Sequence, residues 1–150
     1  GVRMSLGVRS NTSVTKQTAI YYLDSPGSSG NLVVVFKGRP PNGVGGSLLA
    51  LSNTANGKPA VVAQSNTRSV LLSTKVENSL VVASHVSNDP AVDPVLMAQT
   101  PLTPLFGAPV GSAAGGSGYM HVESSSTVKL IFSGRGQQPT TLGVAFAPRH

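Results

Sequence analysis

The sequence predicts an all-β protein, an antiparallel β-sandwich or jelly roll of about eight to ten strands in a single domain over residues 1–150. Three observations carry this prediction. The apolar segments are short and rich in Val, Ile, Leu, Tyr and Phe, which suit a half-buried pleated surface. The 17 Gly and 11 Pro supply the frequent turns that a many-stranded fold needs. No stretch has the apolar period of a helix.

The chain is organised around residues 18–38, where two apolar runs flank a turn cluster. Residues 19–23 (AIYYL) and 32–36 (LVVVF) are too short for stable helices and have β-forming composition. The intervening residues 24–30 (DSPGSSG) are all turn formers. This pattern predicts two buried strands joined as a β-hairpin or as a tight corner between sheets.

The other elements follow from alternation and turn signals. Asn56-Gly57 is a strong type I′ signal and predicts a hairpin that pairs residues 48–51 with residues 60–64. A second hairpin is expected around Glu77-Asn78, and residues 134–139 are expected to form a turn before the last strand. The predicted strands are residues 2–9, 14–23, 32–36, 47–51, 60–64, 70–76, 79–86, 119–123, 127–133 and 141–147.

Residues 88–118 differ from the rest of the chain. Five prolines punctuate this segment, and it ends in the small-residue run GSAAGGSG. Because proline removes a ladder donor and fixes φ, the segment predicts a long surface excursion with at most one short strand near residues 95–99.

Composition restricts the class of partner. The formal charge is +6, but the basic residues are scattered singly, so contact with nucleic acid is expected to be weak or indirect. Only 11% of residues are charged, which leaves a surface of Ser, Thr, Asn, Gln and Gly suited to packing against neighbours. No apolar stretch approaches the ~20 residues of a membrane-spanning helix, and residues 1–6 show no secretory signal.

The sequence predicts no catalytic, cofactor-binding or metal site, and therefore no enzyme. His85, His121 and His150 have no metal-ligand spacing and are expected to be ordinary strand or terminal residues. Asp89 and Asp93 lie four apart but lack a calcium-loop pattern. There is no cysteine and no GxSxG motif, and the glycine-rich segments 43–46 and 111–118 are not followed by GK[ST].

Residues 19–36 resemble a recurring pattern of viral jelly-roll capsid proteins, in which a strand ending in Tyr-Leu-Asp-Ser-Pro-Gly or a similar turn precedes an apolar strand. The segment from Gly118 to Phe146 is similar to their closing strands. The chain lacks the basic N-terminal arm of icosahedral coat proteins. The resemblance therefore implies a capsid-shell subunit without an arm, or a penton, protruding or capping domain on the shell, located in the virion.

The partners implied are copies of the same chain, other capsid proteins and a host receptor. The loops at residues 38–46, 88–118 and 134–139 are the expected contact regions. A second hypothesis, from a different functional class, is a ligand- or glycan-binding β-sandwich of the lectin or adhesin kind, although the chain has no Trp to form a stacking platform for sugars.

Overall fold

The computed structural model describes residues 3–10, 16–24, 32–35, 42–88, 102–133 and 136–149. These residues form nine strands and one short 3₁₀ turn, Ala55–Gly57, and every strand pairing is antiparallel. The strands are β1 Ser5–Arg9, β2 Ala19–Tyr22, β3 Val61–Ser65, β4 Ser69–Ser73, β5 Ser79–Asn88, β6 Thr103–Val110, β7 Ala113–Val122, β8 Thr127–Ile131 and β9 Gln137–Phe146. The predicted all-β antiparallel sandwich is confirmed.

A five-stranded sheet in the order β3-β9-β5-β7-β6 forms the centre of the molecule, and the β4-β8 pair covers one of its faces. Side chains of both layers fill the core between them. The buried core residues are Val70, Leu72, Val81, Ala83, Leu102, Val122, Leu130, Phe132 and Ala145. Burial of this apolar surface is the main source of stability for the sandwich.

The opposite face of the central sheet is covered by two other segments. The β1-β2 hairpin contacts β9, and the Thr18 hydroxyl hydrogen bonds with the Ser84 hydroxyl of β5. Farther along the face, the Ser47 and Ser117 hydroxyls are 2.7 Å apart. Because both faces of the sheet are covered, residues 140–146 of β9 are all buried instead of alternating.

The predicted hairpin of residues 19–23 with residues 32–36 is wrong. β2 pairs with β1, and residues 32–35 belong to no strand. Phe36 and most of the predicted turn lie outside the described residues. Four successive apolar residues carry no inside-outside alternation, so nothing in their pattern specifies a register, whereas β1 offers an alternating partner.

Both other predicted hairpins are also wrong, although most of their strands exist. Residues 55–57 form the 3₁₀ turn, residues 47–51 form no strand, and β3 pairs with β9. Likewise, β4 pairs with β8, whereas β5 pairs with β7 and β9, so residues 74–78 cross between the two sheets. Gly57 and Asn78 do adopt the positive φ that turn residues favour, at 59° and 55°, but neither joins paired strands.

The surface excursion predicted for residues 88–118 is wrong where the structure describes it. β6 and the first part of β7 lie within it, and residues 113–118 are buried in the central sheet. Small residues are needed there because the neighbours approach closely: a Cβ on Gly115 would lie 3.3 Å from the Phe106 ring, and one on Gly45 would collide with that ring. The strand expected near residues 95–99 lies outside the described residues.

The remaining strand predictions are largely confirmed. β1 lies within predicted residues 2–9, with a register shift between Leu6 and Val8, and β8 lies within predicted residues 127–133. β9 begins earlier than predicted, at Gln137, so that part of the turn expected at residues 134–139 is strand. In the part of the chain that is described, no helix is long and apolar enough to span a bilayer.

Candidate interaction surface

A buried polar cluster lies between the two sheets and is centred on His85 of β5. The imidazole is 3% exposed and stacks on Phe132, with 5.0 Å between ring centroids and 10° between ring planes. Its Nδ1 lies 3.0 Å from Thr141 Oγ1, which donates to the Thr67 carbonyl at 2.7 Å. Because the threonine hydroxyl has one proton and uses it on Thr67, Nδ1 must be the donor to Thr141.

The surroundings of His85 favour the neutral imidazole. Burial lowers the pKa of His85 to about 4, and the positive charges of Arg68 and Lys16 also lower it, while a hydrogen bond with the Thr140 backbone raises it. The imidazole is therefore uncharged near neutral pH and is held by a hydrogen bond and a ring stack. These contacts assign His85 a role in the structure of the core.

Lys16 and Arg68 donate hydrogen bonds to main-chain carbonyls at the start of β9 and on the residue before it. Lys16 is 8% exposed, and its Nζ donates to the carbonyls of Gln137, at 3.2 Å, and Gln138, at 2.6 Å. Arg68 donates from Nη2 to the Gly136 carbonyl at 3.0 Å. Burial lowers the pKa of Lys16. Both side chains thus bind main-chain acceptors and fix the start of β9 against residues 16–18 and the connection between β3 and β4.

The other titratable residues singled out in the sequence do not converge on a site. His121 lies exposed on β7, and Glu77 and Glu123 are exposed. Across the described ranges, no group of three or more His, Cys, Asp or Glu side chains is placed to hold a metal ion. The remaining candidates, Asp89, Asp93 and His150, lie outside those ranges.

Exposed apolar side chains are the unusual feature of this surface. Leu32, Val33, Val34 and Val35, called here the apolar run, are 56%, 74%, 59% and 79% exposed. Single exposed apolar residues are common on proteins, but consecutive ones mark an interaction site or an aggregation hazard. The sequence predicted a buried strand at these positions. No local pattern in the sequence distinguishes these residues from a buried strand.

Further exposed apolar residues lie on the strands themselves. Leu6 of β1 and Tyr21 of β2 are cross-strand partners and are 47% and 52% exposed. Val62 on β3 is 51% exposed and Leu71 on β4 is 63% exposed. Both alternate with core-facing neighbours, so Val62 lies on the outer face of the central sheet and Leu71 on the outer face of the β4-β8 pair.

The two edges of the central sheet differ in protection. β6 carries Pro104 and Pro109, which remove backbone donors and so discourage pairing with another strand. β3 has the sequence VVAQS, without proline or charge, and among the described strands it pairs with β9. The side of β3 away from β9, called here the open edge, therefore has neither the proline nor the charge by which edge strands often avoid association.

The predicted contact loops are only partly described. Residues 42–46 are exposed, whereas residues 103–110 and 113–118 of the second region belong to strands. Comparisons with protein-family models, with curated proteins and with solved structures each return no match to this chain.

Proposed function

We propose that this protein is a structural component of a virus particle: a jelly-roll subunit of the capsid shell, or a penton or protruding domain attached to it. It acts by contact with copies of itself and with other capsid proteins, without a catalytic centre or cofactor. The observation that carries the proposal is the apolar run, four consecutive Leu and Val residues left 56–79% exposed although the protein buries a core of other apolar residues.

The magnitude of this exposure supports association. Burying one Val or Leu side chain fully contributes about 1.5–3 kcal/mol, so the exposed parts of these four represent roughly 4–8 kcal/mol that a partner would gain. Association costs about 4–15 kcal/mol in lost freedom, so the run alone would give at most a weak contact. Stable assembly then requires additional surface, which Leu6, Tyr21 and Val62 supply.

The charge distribution also suits a subunit that packs against many neighbours. Only 11% of residues are charged, so few charges would be desolvated when neighbouring surfaces meet. The net charge of +6 is spread over the chain and favours weak or indirect contact with a packaged genome over a dedicated groove. The exposed residues 42–46 are available to a host receptor.

Light scattering coupled to size-exclusion chromatography, together with negative-stain microscopy of the purified chain, tests the proposal. We expect concentration-dependent oligomers or closed shells. The double variant Val33→Lys/Val35→Lys should reduce assembly, whereas the control Leu48→Lys/Leu71→Lys adds the same charge at exposed positions elsewhere and should reduce it less. A strict monomer, above all one that binds a glycan array, would overturn the proposal in favour of a ligand-binding module.

A further inference from the structure

We infer that the apolar run of one copy adds as an extra strand to the open edge of β3 in a second copy. This inference rests on the proposed function and specifies how neighbouring subunits join. The contact is heterologous, because it joins two different surfaces of the same chain. Each copy can therefore bind two neighbours, one through its run and one through its edge.

The donor side is a segment of strand-forming composition that pairs with none of the described strands. Leu32, Val33, Val34 and Val35 include three β-branched residues in succession, the residue type most enriched in strands. The structure assigns these residues to no strand or helix. A segment of this composition gains both main-chain hydrogen bonds and apolar burial when it joins an existing sheet edge.

The acceptor side is the edge where core coverage is incomplete. Val61 and Ala63 of β3 face the core but are only partly buried, whereas Val70 and Leu72 of β4 are 3% and 1% exposed. An added strand on β3 would place alternate side chains over Val61 and Ala63. The same strand on β4 would find the core already covered, which favours β3 even though β4 also lacks proline and charge.

The size of each sheet points to the same edge. An added strand on β3 would extend a five-stranded sheet to six, whereas on β4 it would extend a two-stranded pair. A sheet with more strands holds an incoming strand on a more rigid template. The prolines of β6 disfavour a ladder on its edge, so of the two described edge strands of the central sheet β3 is the better acceptor.

Paired variants test the two sides separately. Val33→Pro/Val34→Pro removes two successive N–H groups from the run. Because successive N–H groups of a strand point to opposite sides, one of the two lost donors would face β3 whichever side of the run pairs with it. Leu48→Pro is the control at an exposed position outside any strand. Val62→Lys places a charge on the edge strand, and Leu71→Lys is its control on β4. Circular dichroism confirms that each variant keeps its β-sheet spectrum.

We expect the run variant and the edge variant each to raise the dissociation constant for self-association by at least about tenfold, which corresponds to 1.4 kcal/mol. Both controls should remain close to wild type. A 1:1 mixture of the run variant and the edge variant should restore association but stop at two chains, because one variant keeps an intact edge and the other an intact run.

Three results would overturn the inference. The first is a mixture that stays monomeric, the second is a Val62→Lys variant that associates like wild type, and the third is a Leu71→Lys variant as impaired as Val62→Lys. Each of these leaves the proposed function standing as long as the wild-type chain assembles. A wild-type chain that remains monomeric instead contradicts the proposed function itself.

Discussion

His85 is the residue whose chemistry is most altered by the fold. The unfolded imidazole takes up a proton near pH 6.5, whereas the folded one does so only at about pH 4. The neutral form is therefore favoured by folding, and its contribution is complete above pH 6.5 and is lost as the pH falls toward 4. Because the side chain is only 3% exposed, this difference in pKa between the unfolded and folded states corresponds to roughly 3 kcal/mol in the free energy of unfolding.

We predict that the free energy of unfolding falls by about that amount between pH 6.5 and 4 in the wild-type chain, beyond the change due to carboxylates. His85→Gln should be less stable at pH 7, because the ring stack is lost, but should show a flatter decline with acid. Urea unfolding followed by circular dichroism measures both. His121→Gln, at an exposed strand position, is the control and should keep the wild-type slope; equal slopes in all three chains would contradict the assignment.

Sequence reasoning placed His85 correctly in a strand but could not anticipate its neighbours. Thr67, Phe132 and Thr141 are 18, 47 and 56 positions away along the chain, and no local pattern links them to it. Lys16 is a comparable case, because a lysine is ordinarily exposed and this one is buried through carbonyls of Gln137 and Gln138. Such contacts depend on which strands become neighbours, and that is decided only in the folded chain.

Among the secondary-structure elements, the composition of short segments predicts most strands correctly, whereas the turn signals predict the wrong partner strands. Residues 60–64, 79–86 and 141–147 were predicted as strands and lie in or overlap β3, β5 and β9. These three are neighbours in the central sheet, although none was predicted to pair with another. Turn residues indicate a local bend, whereas strand pairing depends on burial of a whole face. The positive-φ residues Gly57 and Asn78 do form bends, but the strands on either side of each bend do not pair with each other.

The packing of β4 and β8 on the central sheet depends on a glycine in β9. A Cβ on Gly143 would lie 3.0 Å from Leu130 Cδ1 and 3.4 Å from Val70 Cγ1. We predict that Gly143→Val lowers the free energy of unfolding by about 1–3 kcal/mol, because the larger side chain overpacks the interface between the layers. Chemical denaturation of the variant and the wild-type chain measures the difference.

Gly46→Val is the matched control for this substitution. A Cβ at Gly46 would meet nothing within 4 Å, and the residue lies exposed outside any strand. Its effect should stay within about 0.5 kcal/mol, as for surface substitutions in general. Comparable losses in both variants would mean that the close approach of the layers at Gly143 does not limit stability.

At the scale of the whole molecule, the fold class was predictable because it depends on composition. Short β-forming runs, frequent turn residues and the lack of helical periodicity all predict an all-β fold. None of these observations depends on the correct assignment of any single strand. The interaction surface was not predictable, because the apolar run was assigned to the interior. The structure pairs β2 with β1 and leaves Leu32–Val35 in no strand and exposed.

Charge repulsion between copies opposes self-association, whereas apolar contact favours it, and the dependence on salt distinguishes these two contributions. Every copy carries a formal charge of +6, so copies repel, whereas the apolar run and the open edge contain no ionisable side chain. Added salt screens the repulsion and leaves apolar contact intact.

We therefore predict that raising NaCl from about 20 mM to about 500 mM tightens self-association roughly three- to tenfold. Analytical ultracentrifugation at several chain concentrations measures the dissociation constant under each condition. The Val62→Lys variant serves as the control: its residual association, if any, should show an equal or steeper dependence on salt, because each copy carries one more positive charge. Association that weakens with salt would show instead that ion pairs or bound nucleic acid hold the copies together, and the apolar run would then not be the contact.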